Sequence, residues 1–275
     1  VDALVEAVGR AYSQYGVAHR VFGSPQLREL GERLFAFLDG DERWFATAVA
    51  DPRGATVRIT AAERLRHLPW ELVAADGGFL TVSEHAPLLP VRASSQVTAL
   101  GAEGVGPGNR PLRVLFMATS PEGAEPVLAY EAEEAGILAA TADTGTELVV
   151  EESGTLEGLR FTAEAYGDGY FDVLHLSGHA TVHEGQPVFL VEDELGGLAR
   201  ATADQIARAM AGKWPRLVFA SGCLTGSAPD GGTLPSMSES LVRAGAPAVL
   251  GWALPVGDVA ASEFAAYLYR ALAAG

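Results

Sequence analysis

The chain has 275 residues, of which 48% are hydrophobic and 8% aromatic, so it has enough apolar residues to bury a full core. Acidic residues outnumber basic ones by 35 to 19, and the net charge is -16. Nucleic-acid binders usually carry a basic stripe, so this charge argues against a direct nucleic-acid partner. A cationic protein or peptide is the better electrostatic match.

Cys223 is the only cysteine, so no intrachain disulfide can form, and a cytoplasmic location is the default expectation. The longest uncharged stretch, around Gly245–Gly257, is interrupted by proline and glycine and is too short to cross a bilayer as one helix. The N-terminus carries neither a signal-peptide pattern nor an initiator methionine. We therefore expect no membrane association, and the chain is compatible with a fragment of a longer protein.

The first part of the chain predicts a small, mixed α/β region. Apolar residues recur at helical spacing over Gln26–Asp39, while Ala55–Thr60 and Pro87–Arg92 have the composition of short strands. Residues 1–22 precede these elements and are interpreted as a candidate linker from an upstream domain. A segment rich in glycine and proline, Gly101–Pro111, then predicts a linker or long loop.

After this segment, short apolar runs alternate with helical stretches of ten or more residues. The runs that predict strands are Arg113–Thr119, Thr146–Glu152, Phe171–Ser177, Arg216–Ser221 and Pro247–Trp252. Such alternation is typical of a mostly parallel sheet with helices on both faces. The run Pro187–Val191 predicts an added hairpin. We therefore divide the chain into residues 1–109 and residues 110–275.

A histidine and the single cysteine follow two of these predicted strands. The first strand leads into Gly178 and His179, and the second leads into Gly222 and Cys223. Ligands of open α/β sheets bind at the carboxyl ends of the strands, and the glycines let a substrate approach the backbone closely. If the two strands are neighbours, His179 can take the proton of the Cys223 thiol.

A thiolate at Cys223 would attack a peptide carbonyl, and His179 would then protonate the leaving amine. The backbone N–H of Cys223, with that of Ala180 or Gly178, would hold the oxyanion, a contribution of about 3–4 kcal/mol per donor. The spacing alone also fits a structural interpretation, in which Cys223 is a small buried hydrophobe and His179 a structural histidine.

Three histidines spaced by four residues, His175, His179 and His183, would align as metal ligands on a helix. However, His175 lies in a strand-like run and Gly178 interrupts any helix. On a strand, His175 and His179 would be about 13 Å apart at 3.3 Å per residue. We therefore expect no metal and no other cofactor, with His175 in the core and His183 on a surface loop.

Five blocks of the sequence, in order, resemble the CHAT domains, bacterial relatives of the caspases and separases. Leu174–Ala180 is similar to the block with the family's catalytic histidine, and Val218–Gly226 to the block with its catalytic cysteine. The other blocks are Leu68–Val73, Tyr130–Leu138 and Leu241–Leu272. The sequence departs from the family pattern in two places. Ala180 replaces the usual glycine, and Gly222 and Leu224 replace the commoner residues beside the cysteine. These differences put local substrate contacts in doubt but leave the dyad of His179 and Cys223 intact.

The resemblance implies a three-layer α/β/α caspase-like sandwich, preceded by the smaller mixed α/β region. It also implies a cysteine endopeptidase, with His179 as base and Cys223 as nucleophile, that hydrolyses a peptide bond through a thioester. Such a domain is expected to be the protease module of a bacterial signalling or defence protein. Its activity would be controlled by a regulatory partner or an additional domain of a longer chain.

The resemblance further places Asp258 where related proteins carry an acidic residue that recognises arginine or lysine on the acyl side of the cut. Asp258 is also suited to capping a helix over Val259–Ala273. Structural roles are also expected for other residues of the family blocks. Trp70 and Glu71 are interpreted as structural, Ser236 and its neighbours as the cap of the next helix, and Glu131, Glu133 and Glu134 as a solvated helix face.

Two other functions remain open at this point. The domain could keep the fold without catalysis and act as an interaction module, although the presence of both His179 and Cys223 speaks against this. The same dyad could instead serve a thioester hydrolase or an acyltransferase, which would turn over small acyl thioesters and cleave no peptide.

Overall fold

A computed structural model of the chain describes residues 2–7, 24–51, 54–61, 63–82, 87–93, 110–222, 236–253 and 256–274. These residues form two compact units, one from the part of the chain up to residue 93 and one from residue 110 onward. Each unit has its own hydrophobic core. Within the described ranges, no helix is long and apolar enough to cross a membrane.

The N-terminal unit combines short helices with two small sheets. Its helices are α1 (residues 2–7), α2 (Ser24–Asp39), α3 (Trp44–Ala48) and α4 (Glu63–Arg66), with 3-10 turns at Trp70–Leu72 and Leu80–Val82. Its strands are β1 (Ala55–Ile59), β2 (Ala74–Ala75), β3 (Gly78–Phe79) and β4 (Leu88–Arg92). The predicted helix and both predicted strands are confirmed, and the strands β1 and β4 pair with each other in parallel.

Trp70 and Glu71 both make structural contacts within this unit. Trp70 is buried among the apolar side chains of this unit, and its indole N–H donates to the carbonyl oxygen of Leu65 at 3.0 Å. The Glu71 carboxylate is exposed and forms an ion pair with the guanidinium of Arg92. Both side chains therefore hold local segments of the unit together.

The second unit contains a larger sheet, a small antiparallel sheet and five helices within its described residues. The strands are β5 (Arg113–Ala118), β6 (Glu147–Glu151), β7 (Val173–Ser177), β8 (Ala180–His183), β9 (Gln186–Glu192), β10 (Leu198–Ala201), β11 (Leu217–Ser221) and β12 (Val249–Gly251). The helices are α5 (Tyr130–Ala140), α6 (Leu156–Tyr166), α7 (Ala203–Ala209), α8 (Met237–Arg243) and α9 (Asp258–Ala274).

The larger sheet has five strands in the order β6-β5-β7-β11-β12, and all of its pairings are parallel. Each of the five predicted apolar runs forms one of these strands. The strands β8, β9 and β10 form the antiparallel sheet, with β9 in its centre, which confirms the predicted hairpin. The α/β fold with a parallel sheet is therefore confirmed.

Both faces of the larger sheet are buried, because alternate side chains of each strand point to opposite faces. On one face, residues such as Leu115 and Leu174 pack with side chains of α6, α7 and α8. On the other face, Phe116 and Phe219 pack with side chains of α5 and α9. Burial on both faces explains why the strands are almost continuously apolar in sequence.

Helix caps in this unit follow directly from the local sequence. The Ser236 hydroxyl accepts a hydrogen bond from the backbone N–H of Glu239 at 3.1 Å, which confirms Ser236 as the N-cap of α8. Thr202 and Gln205 form a reciprocal capping box at the start of α7. These caps determine where the helices that cover the sheet begin.

Two helical glycines differ sharply in the space around them, which allows a stability prediction. A Cβ added at Gly31 would lie 1.9 Å from the carbonyl oxygen of Leu72, whereas a Cβ at Gly136 meets no atom within 4 Å. We expect Gly31→Ala to lower the free energy of unfolding by about 1–3 kcal/mol, since the added carbon overpacks the contact. Gly136→Ala should raise it by about 0.5–1 kcal/mol, since alanine favours the helix. Urea unfolding followed by circular dichroism checks both values, and equal effects would contradict the close contact.

Candidate active site

The two strands that precede His179 and Cys223 are direct neighbours in the sheet. Strand β7 pairs in parallel with β11, and Ser177 at the end of one lies opposite Ser221 at the end of the other. This confirms the neighbour relation on which the sequence argument depended. His179 follows Ser177 by two positions, and Cys223, which lies outside the described residues, follows Ser221 by the same interval.

The imidazole of His179 is oriented by a backbone carbonyl. Its Nε2 lies 2.8 Å from the carbonyl oxygen of Pro126, and a carbonyl oxygen can only accept a hydrogen bond. Nε2 therefore carries a proton, and the neutral ring has its free lone pair at Nδ1. The carbonyl oxygen of His179 in turn accepts the N–H of Leu190 at 2.8 Å, which ties the backbone of His179 to β9. His179 as a whole is half-buried.

Gly178 allows a close approach of the chain just before His179. A Cβ at this position would lie 2.2 Å from Oγ1 of Thr119 and 2.9 Å from the ring of Phe189, so no larger residue fits without movement. The N–H of Gly178 donates to the carbonyl oxygen of Ser221 at 3.4 Å. This N–H therefore extends the ladder between β7 and β11 and does not point into open space.

A cleft lies at the carboxyl ends of these strands, next to His179. It is bounded by the end of β7, the end of β11, the first turns of α5 and α9, and the segments that precede these helices. Among the predicted site residues, the structure brings His179, Gly178 and Asp258 together in this cleft. Ala180 begins β8 and does not belong to the lining.

Asp258 lies inside the first turn of α9, because the helix begins at Asp258 itself. Its Oδ2 accepts a hydrogen bond from the backbone N–H of Ala129 at 3.3 Å, so the carboxylate joins the start of α9 to the residue before α5. The expectation of a cap before a helix at Val259–Ala273 therefore differs from the structure by one residue. Asp258 is exposed and borders the cleft.

Glu133 is the residue that the sequence interpretation missed. It was grouped with Glu131 and Glu134 as a solvated helix face, but its side chain is buried with only 4% of the residue exposed. That interpretation is wrong for Glu133, because the side of α5 that carries Glu133 and Ile137 faces the sheet. The spacing of four from a buried isoleucine was the available signal, since such residues share one helix face.

The Glu133 carboxylate is surrounded by polar groups from both strands. The Ser177 hydroxyl donates to its Oε2 at 2.5 Å, and the Ser221 hydroxyl donates to its Oε1 at 3.3 Å. Nε2 of His175 lies 3.4 Å from the same Oε1. His175 is fully buried and stacks on the rings of Phe219 and Tyr269, which confirms the core position expected for it.

These contacts determine the charge of Glu133. Burial raises its pKa, but the nearby imidazole of His175, together with the hydrogen bonds from Ser177 and Ser221, outweighs burial and holds the pKa below its ordinary value of 4.5. The pKa of Tyr269 is well above its ordinary value, first because the phenol is buried and second because Glu133 is negative. The floor of the cleft therefore carries a buried carboxylate anion.

A match to a family model identifies the family of this chain. The family model described as CHAT domain matches residues 24–275 of the chain. The chain belongs to the CHAT domain family. CHAT domains are caspase-like, which relates this protein to the cysteine peptidases. The match begins at residue 24 and so extends over both compact units. A comparison with curated proteins gives no match.

The three regularly spaced histidines of this CHAT domain do not share a helix. His175 lies within β7, His179 follows the end of that strand, and His183 is exposed on β8 rather than on the predicted surface loop. Across the part of the chain that the structure describes, no group of three or more histidine, cysteine, aspartate or glutamate residues could hold a metal ion.

The lowered pKa of Glu133 predicts a specific acid sensitivity. Its ionised form stabilises the folded domain above about pH 4.5, and this stabilisation disappears as the pH falls through the lower pKa of the folded state. The stability of Glu133→Gln should therefore fall less steeply below pH 4.5 than that of the wild type. Urea unfolding at several pH values measures this, with the exposed Glu131→Gln as control. Parallel curves for wild type and Glu133→Gln would contradict the assignment.

Proposed function

We propose that this CHAT domain is a cysteine endopeptidase, with Cys223 as nucleophile and His179 as general base and acid. One observation carries the proposal. His179 stands at the end of β7 with Nε2 bound to the Pro126 carbonyl, beside the strand whose end leads into Cys223. The bound Nε2 leaves Nδ1 as the atom that accepts the thiol proton.

The reaction begins when Nδ1 of His179 takes the proton of the Cys223 thiol. The hydrogen bond to Pro126 stabilises the imidazolium that forms, since its Nε2–H faces a carbonyl dipole. The thiolate then adds to the carbonyl carbon of the scissile peptide bond and forms a tetrahedral oxyanion. Collapse of this intermediate breaks the C–N bond, and the leaving amine takes the proton from Nδ1.

The acyl group is then a thioester on Cys223, and water completes the hydrolysis. His179 takes a proton from the water, the hydroxide adds to the thioester carbonyl, and the thiolate leaves. We propose that the backbone N–H groups of Ala180 and Cys223 hold both oxyanions. Gly178 is the weaker of the predicted donors, because its N–H already donates to Ser221.

The wider setting of the domain is part of the same proposal. The parallel sheet with helices on both faces is consistent with the three-layer caspase-like sandwich. Residues 1–109 would form its N-terminal part and residues 110–275 its catalytic part. We propose that the domain is the protease module of a bacterial signalling or defence protein in the cytoplasm, and that a regulatory partner or another domain controls it.

Substitution of the dyad tests the function. A peptide library incubated with the protein and candidate activators should reveal a cut that is absent in Cys223→Ala and in His179→Ala. A peptide acyloxymethylketone should label Cys223 in the wild type and not in His179→Ala. Unchanged cleavage in Cys223→Ala would disprove the mechanism. Turnover of small acyl thioesters without peptide cleavage would instead indicate a thioester hydrolase. The absence of both reactions would indicate an interaction module.

Substrate preference is a further part of the proposal. Asp258 borders the cleft beside His179, and its negative charge suits an arginine or lysine side chain on the acyl side of the cut. Cleavage after arginine or lysine is therefore the preference that the charges of the lining support best.

Asp258→Asn separates this preference from the structural contact of Asp258. The amide oxygen of asparagine can still accept the N–H of Ala129, whereas the negative charge is lost. We expect kcat/KM for substrates with arginine or lysine to fall about 10-fold to 100-fold, which corresponds to about 1.5–3 kcal/mol for a hydrogen bond to a charged group. Glu263→Gln on the same helix is the control. An unchanged kcat/KM would exclude Asp258 from substrate recognition.

A further inference from the structure

The Glu133 carboxylate connects the ends of the two strands that lead to the dyad. Its Oε2 receives the hydroxyl of Ser177 from β7, and its Oε1 receives the hydroxyl of Ser221 from β11. These two serines are register partners in the sheet, so one carboxylate spans one rung of the parallel ladder. The contact therefore resists sliding or twisting of one strand end against the other.

The connection extends to the neighbouring strand. The indole Nε1 of Trp252, which follows β12, donates to the hydroxyl oxygen of Ser221 at 3.4 Å. Ser221 thus accepts from Trp252 and donates to Glu133. Through this chain of hydrogen bonds, helix α5 is joined to three adjacent strands of the sheet at their carboxyl ends.

A carboxylate is an expensive way to hold strands together if stability alone is needed. Burying a charge removes its hydration, which its partners must replace, and apolar residues of similar volume usually stabilise a core as well or better. Hydrogen bonds to a charged carboxylate, by contrast, are directional, so they define the position of the groups that they join. The arrangement at Glu133 therefore suits the positioning of its partners better than their packing.

The placement of Ser177 and Ser221 affects the residues that follow them along each strand. His179 comes two residues after Ser177, and Cys223 comes two residues after Ser221 in the sequence. A displacement of either serine moves the residue that follows. An error of about 1 Å in the placement of reacting groups can reduce a rate by about 100-fold.

We infer that Glu133 is a positioning residue, which aligns His179 and Cys223 by fixing Ser177 and Ser221 to each other. This inference rests on the proposed function, in which these two residues form the dyad. Glu133 does not take part in the reaction; it acts through the two serines. The titratable groups around it include His175 from β7 and Tyr269 from α9, and Tyr130, His179 and Asp258 line the same cleft.

The test compares Glu133→Gln with the exposed Glu131→Gln on the same helix. We expect kcat for peptide cleavage to fall about 10-fold to 100-fold in Glu133→Gln, with KM within about threefold of the wild type. Active protein is titrated with the acyloxymethylketone, so that a smaller folded fraction does not count as a slower enzyme. Glu131→Gln should keep the wild-type kcat and KM.

Alkylation of Cys223 gives a second reading that needs no substrate. It is the only thiol of the chain, so iodoacetamide reports its thiolate alone. With His179 aligned, alkylation should be fast at a pH well below 8.5, the ordinary thiol pKa. In Glu133→Gln, as in His179→Ala, the midpoint of the pH profile should move up toward 8.5. Wild-type kcat and a wild-type alkylation profile in folded Glu133→Gln would overturn the inference.

The same measurements separate the inference from the proposed function. If the wild type cleaves no peptide, the proposed peptidase function is contradicted. A shifted alkylation profile in Glu133→Gln would still support the positioning role of Glu133, and an unshifted profile would overturn it. If Glu133→Gln does not fold, the double variant Ser177→Ala with Ser221→Ala decides. This variant retains Glu133 beside His175 and removes only the two hydroxyls. It should therefore reproduce both the lower kcat and the shifted alkylation profile. Wild-type kcat and a wild-type profile in this variant would reject the inference.

Discussion

The in-register parallel pairing of β7 and β11 is the constraint on which the candidate site depends. Because parallel strands end at the same edge of a sheet, this pairing puts Ser177 opposite Ser221 and brings the ends of both strands to one edge. The other parts of the cleft are arranged around that edge. The first turns of α5 and α9 border it, and the loop that carries Pro126 supplies the carbonyl that orients His179.

At the same edge of the sheet, buried polar residues interrupt the otherwise apolar strands. The strand β7 is buried along its whole length, yet it contains His175 and ends at Ser177. Burial of a polar group is costly without a partner. Glu133 accepts the hydroxyl of Ser177, and its Oε1 lies 3.4 Å from Nε2 of His175. One carboxylate on α5 thus compensates several polar groups and leaves a negative charge under the cleft. This combination links the folding of the unit to the chemistry proposed for it.

Much of the fold was predictable because it follows from local patterns. The five strands of the larger sheet were visible as apolar runs, since burial on both faces leaves little room for polar residues. The helix caps were legible too, as at Ser236, because they depend on residues a few positions apart. The sequence did not predict the order of the strands in the sheet, because that order depends on crossovers that bring distant segments together. The parallel pairing of β1 with β4 is a second case of the same limit.

For the site, the sequence by itself identified His179, Gly178 and Asp258 as residues to examine, and its ordered blocks indicated the CHAT domain family that the family model shows. Only the tertiary structure revealed that Glu133 is buried and that Pro126 orients the histidine. The physical reason is the range of the interactions. Strand ends, glycine turns and caps are encoded within a few residues, whereas the partners of Glu133 lie 42, 44 and 88 positions away and meet it only when the sheet and α5 are packed together.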